Sequence, residues 1–144
     1  MKRCSTGSKL IDNILEGGLE NEVTTTIYGP SGSGKTNIAI LAALYNAKDS
    51  KIIFIDTEGG FSIDRVKQMF PEDHERRLKN LIIFKPTTFT EQTELFRNLE
   101  KFANEHEPSL IVVDSLSMLY RLELGEREAY EVNKEMARQL STLR

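Results

Sequence analysis

Eight consecutive residues, Gly29-Pro30-Ser31-Gly32-Ser33-Gly34-Lys35-Thr36, carry the most specific chemical pattern in the chain. Gly29, Gly34, Lys35 and Thr36 fill the spacing G-x-x-x-x-G-K-[ST] of a phosphate-binding loop. Successive backbone N–H groups must turn inward to surround phosphate oxygens, and that path leaves space for little side chain, which Gly29, Gly32 and Gly34 provide. A helix starting directly afterwards would present its positive end to the anion. Lys35 is placed to reach the β- and γ-phosphates as a point charge, which makes it a catalytic as well as a binding candidate. The Thr36 hydroxyl can complete the shell of a Mg²⁺ ion. The four fixed positions match by chance in roughly one chain in two hundred of this length. A flexible Gly/Ser loop that binds nothing is the plainer alternative, and the context disfavours it. A β-branched run at residues 23–28 leads straight into the loop, and helix-forming residues follow it. The expected ligand is a nucleoside triphosphate, ATP with Mg²⁺.

Two further apolar runs end in acid. Residues 52–55 are followed by Asp56-Thr57-Glu58-Gly59-Gly60, and residues 110–113 by Asp114-Ser115. In an open α/β sheet ligands sit outside the carboxyl ends of the strands, so both acidic ends belong at the nucleotide edge. Asp114, after four apolar residues, is expected to accept from the metal's water ligands or from Thr36; capping the helix after Ser115 is its other reading. Glu58 suits the orientation and deprotonation of a water that attacks the γ-phosphate, against a plain solvated role in a Gly turn. Asp56 lies inside the strand and is expected to be structural.

The elements that must position these groups alternate along the chain. Strands are expected at residues 23–28, 51–56, 81–84 and 110–114, and the central runs lack polar alternation, as strands covered on both faces do. Between them, residues 36–47 read as a helix. Residues 91–106 place Leu95, Phe96, Leu99, Phe102 and Ala103 on one stripe, with Thr88 and Glu91 as a capping pair. A last helix carries Ala129, Val132, Met136, Leu140 and Leu143 at helical spacing, and a short one near residues 8–15 should stop at Gly17-Gly18. Strand and helix in this order predict right-handed βαβ units, a mainly parallel sheet flanked by helices, and an α/β fold.

Composition narrows the field. The 144 residues, 39% hydrophobic and 28% charged, suit one soluble domain spanning residues 1–144. No run approaches the roughly 18 apolar residues of a membrane span, and the first residues lack the apolar segment of a secretory signal. The lone Cys4 fits a reducing compartment such as the cytoplasm, and with only His74 and His106 beside it a structural zinc site is not expected. Both histidines, and the charged cluster at residues 72–77, read as surface. A net charge of −3 means that any nucleic-acid contact must come from a local patch or an assembly.

Taken in order, Ser5-Thr6-Gly7, Leu10, Asp12, Gly17-Gly18, the phosphate loop preceded by Tyr28, Asp56-Thr57-Glu58-Gly59-Gly60-Phe61-Ser62, and Val113-Asp114-Ser115 with Tyr120-Arg121 resemble the ATPase core of the RecA/RadA recombinase superfamily. The resemblance spans the whole chain, and its wording is most similar to an archaeal paralogue of RadA that has no domain ahead of the Ser-Thr-Gly opening. It implies a RecA-type P-loop NTPase fold and an ATP-binding, DNA-binding protein of homologous recombination and DNA repair, with weak or DNA-modulated ATPase activity. It implies Glu58 as catalytic base and residues 116–128 as the first DNA-binding loop. Arg121 and Arg127 are the candidates for phosphate contact, or else exposed residues among glutamates. Single-stranded or branched DNA, a recombinase partner and a homo-oligomer are the partners it suggests. Two departures stand out. The superfamily has Gly where this chain has Glu22, and it continues past a helix like the last one into a strand that lies between the phosphate-loop strand and the Asp114 strand. The chain is therefore expected to be a fragment lacking C-terminal strands.

Rival readings are a non-catalytic ATP-binding regulator of a recombinase partner, and a P-loop kinase for a small molecule, for which no Arg-bearing lid is evident. The guanine-reading motif of GTPases is only mimicked by Asn133-Lys134-Glu135-Met136.

Overall fold

Ile52–Asp56 is buried along its whole length, and that burial organises the molecule. This strand (β3) is the middle of a parallel three-stranded sheet, between Leu81–Phe84 (β4) and Leu110–Asp114 (β5). The registers run Ile52 opposite Leu81 and Leu110, up to Asp56 opposite Asp114. Because side chains alternate across a strand, Ile52 and Phe54 pack on one face with Ile40, Ala43, Leu44 and Ala47, while Ile53 and Ile55 pack on the other with Phe96 and Leu99. Those partners come from Lys35–Asn46 (α2), with Ala47 as its C-cap, and from Phe89–His106 (α5) respectively. A fully buried Ile or Phe contributes roughly 1.5–3 kcal/mol, so a strand apolar on both faces is what this two-sided sandwich requires. The structure, a computed structural model, describes residues 2–125 and 128–144.

The remaining elements frame this centre. Arg3–Cys4 (β1) and Leu19–Glu20 (β2) form a short antiparallel ladder around the helix Lys9–Ile14 (α1). The Asp12 carboxylate ties that unit together by accepting from the Ser5 hydroxyl and from the Thr6 amide (2.8 Å) and hydroxyl (2.7 Å). Partial burial pushes that carboxyl up, but these hydrogen bonds outweigh it and hold it below the usual range. Gly18 is required there, since a Cβ would fall 2.3 Å from the Cys4 carbonyl oxygen. Ile63–Met69 (α3) and His74–Leu78 (α4) lead into β4, and Met118–Glu123 (α6) and Ala129–Thr142 (α7) follow β5. Leu119, Val132 and Phe89 form a third small core where α5, α6 and α7 meet. Thr88 caps α5 by accepting from Glu91 N (3.1 Å), and Glu91 reaches back to Thr87 N (2.6 Å), as the spacing predicts.

Several expectations need correction. Residues 23–28 lead into the phosphate loop but join no ladder, with Val23 and Ile27 exposed. Apolar β-branched composition makes a strand only where a neighbour offers hydrogen bonds; among the described residues β5 pairs with β3 on one edge and nothing pairs its other. Thr24 is tied instead to the carbonyl of Leu143 (2.6 Å). In α7, Leu140 is 45% exposed and Gln139 is buried in its place. Gln139 accepts from Gln92 Nε2 (2.7 Å) and donates to Thr93 (3.1 Å), so the seam with α5 is polar at its centre. The charged cluster at residues 72–77 is not simply a solvated face. Arg77 is buried, donates to the Leu44 (2.8 Å) and Tyr45 (3.1 Å) carbonyls at the end of α2, pairs with Asp73 (2.8 Å) and lies over the Phe70 ring (4.1 Å). Glu22 adopts φ 62, the left-handed conformation that a Gly at this position takes without strain.

Candidate nucleotide site

The phosphate loop emerges on the exposed side of the α2 N-terminus. Gly32 (φ 76) and Gly34 (φ 91) take left-handed backbone that other residues adopt only at a cost. Gly34 is the N-cap, and no side chain caps the helix. The first-turn N–H groups of an α-helix lack intrahelical partners, so here they face the loop, together with the positive end of the helix dipole. Lys35 folds over the loop, its Nζ donating to the carbonyls of Gly29 (2.9 Å) and Pro30 (2.8 Å). An ammonium has three donors and no preferred plane, so a phosphate oxygen arriving in the loop competes directly for those protons.

Thr36, one residue along, sits beside the end of β5. Asp114 is 8% exposed, and its Oδ2 is buried with no hydrogen-bond partner among the described residues. Burial pushes the Asp114 carboxyl above the usual carboxylate range. The Thr36 hydroxyl pulls against this, the Glu58 and Asp56 charges add to it, and Lys35 opposes them. A buried carboxylate oxygen without a donor is costly unless a cation or its water shell meets it. Gly60 keeps that space open: a Cβ there would lie 3.1 Å from Thr36 Cγ2, 3.7 Å from Thr36 Oγ1 and 3.8 Å from Asp114 Oδ2. The donor set fits Mg²⁺. No group of three or more His, Cys, Asp or Glu side chains among the described residues could hold a metal, and Mg²⁺ bound to nucleotide needs one or two protein oxygens rather than a cage, because phosphates and waters supply the rest.

Glu58 is exposed at the end of β3, in a turn built by its neighbours. Asp56, 2% exposed, accepts from the amides of Gly60 and Phe61 (both 3.1 Å) and so folds the Gly59-Gly60 turn back over the strand. That is the structural role its place inside the strand predicts. Phe61 packs edge-on against Phe54, 5.3 Å between ring centres. Thr57 and Ser115 lock the two strand ends: Thr57 Oγ1 donates to the Ser115 carbonyl (2.7 Å) and accepts from its amide (2.9 Å), and Ser115 Oγ donates to Glu58 Oε1 (2.7 Å). The Asp114–Ser115 peptide bond is cis.

The structure thus brings Gly29, Pro30, Ser31, Gly32, Ser33, Gly34, Lys35 and Thr36 into one loop and helix end, with Asp114 and Gly60 beside Thr36. Sequence reasoning passed over Gly60, Thr57 and Ser115 as functional residues. The signal was available in part, since each acidic strand end carries a hydroxyl residue directly after its aspartate. The segment expected as a DNA-binding loop is partly the helix α6, which exposes Arg121 in its last turn. Arg127 lies outside the described residues.

The chain resembles known proteins along its whole length. The Rad51 family model matches residues 1–144. The chain is similar to the DNA repair and recombination protein RadB of Methanobrevibacter smithii, 41% identical over 136 residues that cover 92% of this chain and 57% of that protein. It is likewise similar to RadB of Methanocaldococcus jannaschii, 40% identical over 93% of this chain and 64% of that one. A crystal structure of the RadB recombinase superimposes with a TM-score of 0.80 at 36% identity, covering 96% of this chain and 62% of that chain. The chain therefore spans about three fifths of the length of these relatives. With the family model matched from end to end over a phosphate loop, two acidic strand ends and a parallel sheet, the chain belongs to the Rad51 family.

Proposed function

We propose that the chain is the ATP-binding core of a DNA repair and recombination protein and that it hydrolyses ATP weakly, under the influence of DNA. The observation that carries this is the alignment of an uncapped α2 N-terminus with the Thr36–Asp114 pair, whose Oδ2 has no donor of its own. Gly29 to Thr36 hold the phosphates, Thr36 and Asp114 hold Mg²⁺ through its hydroxyl and water shell, and Lys35 carries charge toward the β- and γ-phosphates. Bound Mg²⁺ neutralises charge that builds on the phosphates in the transition state. Glu58 takes a proton from the attacking water. The bond from that water oxygen to the γ-phosphorus forms as the bond from the γ-phosphorus to the bridging oxygen breaks. The electron pair leaves with ADP and the proton passes to solvent.

DNA is the proposed macromolecular partner, single-stranded or branched, with Arg121 and Arg127 as phosphate contacts. Exposure of Arg121 on α6, directly after the Asp114 strand, supports the first of these. No helix among the described residues is long and apolar enough to cross a membrane. The test is ATP turnover with and without single-stranded DNA, beside Lys35→Ala. DNA-stimulated turnover lost in Lys35→Ala is expected; turnover that survives the substitution overturns the reading. The net charge of −3 favours a second reading, a non-catalytic ATP-binding regulator of a recombinase partner. Nucleotide binding without turnover in the same assay selects it.

A further inference from the structure

We propose that Ser115, held by Thr57, is the positioning residue of the Glu58 carboxylate. The inference rests on the reading of Glu58 as the base that receives the water's proton. An exposed glutamate in a glycine turn has many rotamers, and only a few of them point a carboxylate oxygen at a water in line with a γ-phosphate. Ser115 removes most of that freedom by donating its hydroxyl proton to Oε1 at 2.7 Å. With Oε1 engaged, Oε2 is the oxygen that accepts the water's proton, while the new oxygen–phosphorus bond forms and ADP departs with the bridging oxygen's electron pair.

Ser115 is itself fixed from two sides. Its amide donates to Thr57 Oγ1 (2.9 Å) and its carbonyl accepts from the same hydroxyl (2.7 Å). The Thr57 amide in turn donates to the Asp114 carbonyl (2.9 Å). The residues beside Glu58 and beside Asp114 are thus joined in one closed ring of hydrogen bonds across neighbouring strands. Thr57 is buried, so this ring is shielded from competing water. The geometry makes the position of the base depend on the strand that carries the metal-side aspartate, so the two groups keep one spacing.

Ser115→Ala, Ser115→Thr and Glu58→Gln, alone and combined, test the proposal by ATP turnover and by nucleotide affinity. Misplacing a catalytic group by about an ångström costs on the order of 100-fold in rate. Ser115→Ala is therefore expected to lower kcat about 10- to 100-fold with KM and nucleotide affinity unchanged, and Ser115→Thr, which keeps the hydroxyl, to restore it. In the Glu58→Gln background Ser115→Ala should have no further effect, whereas a merely structural serine would lower the rate again. Full turnover in Glu58→Gln overturns the base assignment and this proposal with it. Turnover lost in Glu58→Gln but unchanged in Ser115→Ala overturns the proposal alone. The carboxyl carbon-13 resonance of Glu58 gives a readout independent of turnover: it should move in Ser115→Ala and return in Ser115→Thr, and a resonance unmoved in Ser115→Ala overturns the proposal.

Discussion

Gly60→Ala should weaken Mg²⁺–nucleotide binding about tenfold while leaving the fold intact, and its neighbour Gly59→Ala should do the reverse. The Cβ added at Gly60 would lie 3.1 Å from Thr36 Cγ2, where carbon atoms pack favourably at about 3.5–4.0 Å. Thr36 must yield by a few tenths of an ångström or turn about χ1. Because threonine is β-branched, turning χ1 carries the hydroxyl away as well. Mg²⁺ holds its ligands at about 2.0–2.1 Å in near-ideal octahedral geometry, so either response weakens or removes the Thr36 ligand. Loss of one such contact is worth about 1.4 kcal/mol, a factor of about ten in affinity. Gly60 has no left-handed backbone to defend, so the fold should lose nothing. Gly59 differs on both counts. Its φ is 70 and a Cβ there meets nothing within 4 Å, so Gly59→Ala should cost about 1 kcal/mol of stability and spare affinity. Titration with a fluorescent ATP analogue, in Mg²⁺ and in EDTA, measures the first quantity, and thermal unfolding followed by circular dichroism measures the second. Wild-type Mg²⁺-dependent affinity in Gly60→Ala would refute the placement of the metal between Thr36 and Asp114.

Three other outcomes follow from features of the same structure. Asp114→Asn should abolish the Mg²⁺ dependence of nucleotide binding yet stabilise the metal-free chain by about 1 kcal/mol, because a buried acceptor charge without a donor is removed. Since the folded carboxyl titrates above its unfolded value, the metal-free wild type should lose stability as pH rises from about 4 through the folded pKa, and Asp114→Asn should lose that slope in urea unfolding at stepped pH. Arg77→Met should destabilise by about 2–3 kcal/mol, from its charged hydrogen bonds to the two carbonyls at the end of α2, read as a lower urea midpoint with nucleotide affinity unchanged. Glu22→Gly should raise stability by about 0.5–1 kcal/mol, left-handed strain relieved less the added freedom of the unfolded chain, which is about 2–4 °C in Tm.

What the sequence discloses and what it withholds divide along a physical line. Runs such as Ile52-Ile53-Phe54-Ile55 and Leu110-Ile111-Val112-Val113 announce strands covered on both faces; the structure buries the first fully at the centre of the sheet and places the second beside it on the edge, partly buried. The phosphate loop is equally plain, since glycine at fixed spacing reflects backbone geometry that is local. The misses depend on long-range partners. Residues 23–28 have strand composition, but a ladder needs a neighbour that composition does not supply. Arg77 reads as solvated until the end of α2 is brought to it. Gln139 takes the buried place expected of Leu140 because Gln92, 47 residues earlier, offers an amide to pair with. Ser115 is the most instructive, since nothing local says that its hydroxyl will face a carboxylate 57 residues earlier.

The anchoring of the Glu58 turn bears on time as well as on place. Thr57 N is bound to the Asp114 carbonyl on one side of Glu58, and the Asp56 carboxylate fastens the Gly60 and Phe61 amides on the other. The backbone that carries the glutamate is thereby already closed, so its carboxylate leaves and regains the Ser115 hydroxyl only by rotation about its own side-chain bonds. Such rotations take picoseconds to nanoseconds, against microseconds to milliseconds for a lid that must fold over a ligand. If Glu58 is the base proposed above, a carboxylate that moves on that timescale is not the slow step of hydrolysis. The proposed hydrolysis would then be limited by proton transfer, by phosphoryl transfer or by the departure of ADP, and the turn itself should show protected amides whether or not nucleotide is bound.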